Sequence, residues 1–139
     1  MDIDELRDLA AARYDDFVTT LERMVNIDCG SYSPEGVDAI ADLCEARFSA
    51  AGWAVERRAH VPVGGAPRMG DLLIGRLDGS GGPRVLLVGH MDTVFDDGTA
   101  AERPFTVDGD IARGPGVSDM KGGLLTGFFA TEVLQAAVV

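Results

Sequence analysis

Apolar residues recur at helical spacing in three stretches of this chain. Tyr14, Phe17, Val18, Leu21, Met24 and Val25 fall at i, i+3, i+4 and i+7, while Asp15, Asp16, Glu22 and Arg23 lie off that stripe. The pattern predicts an amphipathic helix with one buried face. Asn26 to Tyr32 then reads as a polar connection. Ser33-Pro34-Glu35 carries a capping side chain and a proline where no N–H is needed, so a second helix starts there. Its stripe is Val37, Ile40, Ala41, Cys44 and Phe48, and Gly52 is placed to end it. Leu124, Leu125, Phe128, Phe129, Val133 and Leu134 mark a third, buried helix.

Elsewhere the period is two, or there is none. Trp53, Val55, Arg57, Ala59 and Val61 alternate with Ala54, Glu56, Arg58 and His60, which predicts a half-buried strand. Residues 71–77 read as a second strand, after a turn rich in glycine and proline at 62–67. Residues 85–88 are continuously apolar, as in a central strand covered on both faces. Residues 95–102 read as a polar loop. Residues 105–112, with Asp108-Gly109 in the middle, read as a small hairpin. The expected class is α/β, a mixed sheet covered by helices.

Composition narrows the partners more than the fold. The chain has 139 residues, 46% hydrophobic and 25% charged, enough for a globular core. Twelve basic against 23 acidic residues leave a net charge of −11, which disfavours nucleic acid. No apolar run approaches a membrane span. The acidic start Met1-Asp2-Ile3-Asp4-Glu5 is unlike a signal peptide. Cys29 and Cys44 form no CxxC pair and read as buried free thiols in a reducing cytoplasm.

The chemistry gathers between Arg84 and Gly123. The apolar run ends in Gly89-His90-Met91-Asp92-Thr93-Val94. Residues two apart on a strand face the same way, so His90 and Asp92 converge. An imidazole ligand commonly donates its other N–H to a carboxylate, so Asp92 is either the orienter of His90 or a second ligand. Downstream, Gly114-Pro115-Gly116 lets the chain turn tightly and brings Asp119 to the start of a helix. A carboxylate there can bridge two divalent ions. His60 reads as a solvated side chain, and Asp96, Asp97, Asp108 and Asp110 as turn carboxylates. Lys121, the single lysine beside eleven arginines, is a surface charge or a structural anchor.

The residues His90-Met91-Asp92, Pro104-Phe105 and Gly114-Pro115-Gly116-Val117-Ser118-Asp119-Met120-Lys121-Gly122-Gly123 resemble the co-catalytic zinc peptidases. That family includes bacterial glutamate carboxypeptidase, acetylornithine deacetylase and succinyl-diaminopimelate desuccinylase. Thr93-Val94-Phe95, Gly98-Thr99 and Arg103-Pro104-Phe105 look most like the glutamate carboxypeptidase branch. The resemblance implies a zinc hydrolase with two ions per site, cleaving an amide bond next to a free carboxylate. It makes His90 a ligand of one zinc, Asp119 the carboxylate bridging both, and Asp92 the catalytic-site aspartate supporting His90. It also makes the Asp119–Met120 peptide cis.

The resemblance further implies groups that this stretch does not carry. The family's general base is the first of two adjacent glutamates downstream of the bridging aspartate, and further ligands follow. Here the only later acid is Glu132, thirteen residues along a helix and so roughly 20 Å from the site. Residues 1–139 are therefore expected to be the N-terminal portion of a catalytic domain, without its remainder or the family's dimerisation domain. Alone, the chain is expected to be inactive, with apolar surface exposed. The implied substrate of the full-length protein is a small peptide or an N-acyl amino acid, with a homodimer as its assembly. The alternatives are an N-acyl-amino-acid deacylase of the same family, or a non-catalytic remnant keeping only the fold.

Overall fold

A computed structural model describes residues 2–79 and 81–137. Five helices and two short hairpins follow one another: α1 (Ile3–Ala11), α2 (Tyr14–Val25), α3 (Pro34–Ala50), β1 (Ala54–Arg58), β2 (Leu72–Arg76), α4 (Thr99–Glu102), β3 (Thr106–Asp108), β4 (Ile111–Arg113) and α5 (Gly122–Ala137). A bent turn, Val117–Lys121, leads into α5. The class is α/β, as the periodicities predict.

The core is a three-helix knot. Leu21, Met24 and Val25 of α2 meet Val37, Ile40 and Cys44 of α3 and Leu125, Phe128 and Phe129 of α5, with Cys29 beside them. These are the apolar stripes of the sequence, closed on one another so that each helix hides its face. Phe129 packs edge-on against Phe17 at 5.2 Å, and Phe48 stands 4.5 Å from Phe128 and 4.7 Å from Trp53. Arg47 lies 3.9 Å over the Phe129 ring and donates both to Glu132 (2.6 and 2.8 Å) and to Asp16 (3.0 Å). One guanidinium thus ties α2, α3 and α5 together. Glu132 is thereby committed to that tie.

The strands form two antiparallel pairs. In one, Ala54 faces Arg76 and Arg58 faces Leu72; in the other, Thr106 faces Arg113 across a turn at Gly109, where φ is +58°. A parallel contact joins Gly30 to Thr93. Residues 85–88, expected as a central strand, have no strand partner among the described residues. Val85, Leu86, Leu87 and Val88 are 80%, 84%, 63% and 81% exposed. The apolar run has the composition of a covered strand, but no described segment lies alongside to pair its backbone. The acidic α1 was not legible as a separate element: it buries no residue and is started by Asp2, which accepts from the Asp4 N–H at 3.2 Å. The polar loop at 95–102 contains the short α4. No described helix is long and apolar enough to cross a membrane. Val138 and Val139, the end of the expected third helix, lie outside the described residues.

Candidate metal centre

The site is built where the connection after α2 crosses the segment after residue 88. Thr93 N–H donates to the Cys29 carbonyl (2.8 Å), and Ser31 N–H donates to the Thr93 carbonyl (3.1 Å). Asp28 fixes the next loop by accepting from Gly98 N–H and Ala100 N–H, each at 2.8 Å. Asn26 Oδ1 accepts from Phe105 N–H at 2.8 Å. The polar connection is therefore a clamp on 93–105.

Opposite it, the glycine turn brings in Asp119. Gly116 has φ +71°, and a β-carbon there would lie 2.5 Å from Thr93 Cγ2. Only glycine meets both demands, so the turn can press against Thr93. The Asp119–Met120 peptide is cis, as expected. Lys121 settles as an anchor: it is 1% exposed and donates from Nζ to the Ile27 carbonyl at 2.9 Å. It pins the turn to the α2 connection.

His90 and Asp119, 29 residues apart, meet between these two supports. His90 Nε2 lies 3.1 Å from Asp119 Oδ1. His90 Nδ1 lies 3.0 Å from the Asp92 carbonyl and 3.2 Å from Asp92 Oδ1. So Asp92 stands at the ring nitrogen opposite the one that faces Asp119. The Asp92 carboxylate in turn accepts from the Ser31 hydroxyl through Oδ2. The Asp119 side chain is 84% exposed and faces outward. Partial burial works against a charged His90 ring, but the hydrogen bonds to Asp119 and Asp92 outweigh it, and its pKa is raised.

This arrangement has a chemical consequence. In the neutral ring, two acceptors at Nδ1 keep the proton there, and Nε2 turns a lone pair toward the carboxylate oxygen; only the charged ring donates to Asp119. Two acceptors at 3.1 Å repel unless a proton or a cation joins them. Two donors on one tetrahedral zinc, each at about 2.0–2.2 Å, stand about 3.4 Å apart, so the pair has a spacing that a shared ion accepts. Imidazole and carboxylate are also the donor types zinc takes. Among the described residues no cluster of three or more His, Cys, Asp or Glu completes a metal site.

The other candidates fall elsewhere. His60, read as solvated, accepts from Met69 N–H at 2.9 Å and braces the β1–β2 connection. The Asp97 carboxylate accepts from the Ser33 hydroxyl, 64 residues away, and at Asp96 it is the backbone carbonyl that accepts from the Thr99 hydroxyl. Ser31 and Asp28 were missed by sequence reasoning. Their partners lie 61 and about 70 residues away, and no local pattern announces such a pairing.

Residues 86–138 match Peptidase family M20/M25/M40. Carboxypeptidase G2 of Pseudomonas sp. (strain RS-16) is 41% identical over 106 residues, 76% of this chain and 25% of the relative. Succinyl-diaminopimelate desuccinylase of Methylobacterium sp. (strain 4-46) is 41% identical over 104 residues, 70% of this chain and 25% of the relative. The same-named protein of Methylorubrum extorquens is 36% identical over 111 residues, 76% of this chain and 27% of the relative. The chain spans about a quarter of the length of the curated relatives it matches. The stretch that matches Peptidase family M20/M25/M40 contains both His90 and Asp119.

Proposed function

We propose that the whole protein is a zinc-dependent hydrolase that cleaves an amide bond next to a free carboxylate. The observation that carries this reading is the 3.1 Å approach of His90 Nε2 to Asp119 Oδ1, with Asp92 satisfying the far side of the ring. In it, His90 and Asp119 would hold the metal, and Asp92 would keep the ring proton on Nδ1 so that Nε2 is available as a donor. When bound, the two ions supply Lewis acidity toward the scissile carbonyl and toward a water. The general base is a glutamate outside residues 1–139.

The peptidase name of one relative supports a carboxypeptidase-like substrate, a small peptide cut next to its free carboxylate. A second reading, deacylation of an N-acyl amino acid, is favoured by the two relatives named as succinyl-diaminopimelate desuccinylases. Two donors are fewer than the three protein ligands usual at catalytic zinc, so residues 1–139 alone hold zinc weakly and turn nothing over. The two free cysteines support a cytoplasmic setting.

The test is zinc analysis with hydrolysis assays on the chain extended through its full reading frame. The assays compare a peptidyl-glutamate with succinyl-diaminopimelate. The reading predicts chelator-sensitive hydrolysis of one of them, reduced at least ~100-fold in His90→Ala. Hydrolysis untouched by chelator and by His90→Ala would refute it.

A further inference from the structure

We propose that Ser31 is a positioning residue for this centre, acting on His90 through Asp92. The proposal rests on the metal-site reading above and deepens it. Ser31 sits in the connection after α2, 61 residues from Asp92 in sequence. The parallel contact between Gly30 and Thr93 sets it in place: Thr93 N–H donates to the Cys29 carbonyl and Ser31 N–H to the Thr93 carbonyl. The backbone on both sides of the Ser31–Asp92 contact is thereby held, and Thr93 itself is buried.

From that position the Ser31 hydroxyl donates to Asp92 Oδ2. The other oxygen, Oδ1, is the one 3.2 Å from His90 Nδ1. A carboxylate turns easily about its last torsion, which is broad and weakly restrained. A hydrogen bond at one oxygen fixes the carboxylate plane and so aims the other. Ser31 therefore holds Asp92 Oδ1 toward the ring, beside the Asp92 carbonyl 3.0 Å from the same Nδ1, and away from a role as competing ligand. The order Ser31, Asp92, His90, Asp119 is a line of contacts running from a backbone-clamped loop to the exposed carboxylate. Nothing else among the described side chains touches the Asp92 carboxylate within hydrogen-bond distance except His90. Outer partners of metal ligands typically change metal affinity about 10–100-fold when removed.

Two measurements on the 139-residue chain test this. The first needs no metal: the carbon resonance of the Asp92 carboxyl and the nitrogen resonance of His90 Nδ1, read by NMR on isotope-labelled protein. Both should move in Ser31→Ala and stay near their wild-type positions in Ser31→Thr, which keeps the hydroxyl. The second is zinc titration up to millimolar. Ser31→Ala should bind about 10-fold more weakly than wild type, and the difference should vanish in an Asp92→Asn background. Unmoved resonances in Ser31→Ala overturn the proposal whatever zinc does. So does wild-type zinc affinity in Ser31→Ala, or a Ser31→Thr chain that behaves as Ser31→Ala does. Should Ser31→Ala fail to fold, the Ser31→Thr comparison decides in the same way. A wild-type chain that binds no zinc, but whose Asp92 and His90 resonances answer to Ser31, would sink the metal reading and leave the positioning role standing.

Discussion

Cys29 and Cys44 lie in the helix knot with their thiols away from water. Burial raises the Cys29 thiol, although the charge of Lys121 opposes this, and burial alone pushes Cys44 up to about 11. The thiolate is the reactive form, so both should be nearly inert near neutral pH in the folded chain. Ellman's reagent should report close to no fast-reacting thiol in native buffer and two after unfolding. A fast native thiol would show that the α2 connection, and with it the clamp on Thr93, is not closed as described. Both were legible as buried thiols, because neither has a partner at disulfide or metal spacing. Lys121 was undecided for a physical reason: a lysine in a glycine-rich turn can reach water or a buried carbonyl equally well. Only the carbonyl of Ile27, 94 residues away, selects the second.

At the scale of elements, α2, α3 and α5 were legible because each carries a 3.6-residue apolar stripe long enough to read. The hairpins were legible by alternation and by Asp108-Gly109. Residues 85–88 have a strand's composition, but pairing is a property of neighbours, and neighbours are not written in the run itself. The centre was half legible. His90 and Asp92 stand in one short motif and Asp119 in another, whereas Ser31 and Asp28 act across long separations. What holds the elements is also testable. Arg47 and Glu132 are partly buried, at 18% and 20% side-chain exposure. Arg47→Ala would leave Glu132 without its partner and strip the cation from the Phe129 ring. That should cost about 2 kcal/mol, below the roughly 3–5 kcal/mol of a fully buried pair because water still reaches both groups. Urea unfolding would measure it. A loss under ~0.5 kcal/mol would mean that packing alone holds the three helices.

The whole molecule is strongly acidic, and its stability should follow its carboxylates. A hydrogen bond from Arg47 lowers the pKa of Asp16. For Asp38, burial works upward, but the Arg68 hydrogen bond and the Asp71 N–H bring its pKa below the usual value. A carboxylate lowered on folding contributes stability that is present above its unfolded value, about 3.9, and lost as pH falls through the folded value. Unfolding free energy should therefore drop on acidification below about pH 4, and Asp38→Asn should flatten that drop. An unchanged slope in Asp38→Asn would remove Asp38 from the account.

The claim on which the functional reading stands is that His90 and Asp119 share an ion. Competition titration of zinc against a chromophoric chelator, on wild type, His90→Ala and Asp119→Asn, measures it directly. The account predicts weak, saturable binding by the wild-type chain and about a tenfold loss or more in each variant, with circular dichroism unchanged. Equal affinity in all three would place the ion elsewhere and leave the two side chains as neighbours only.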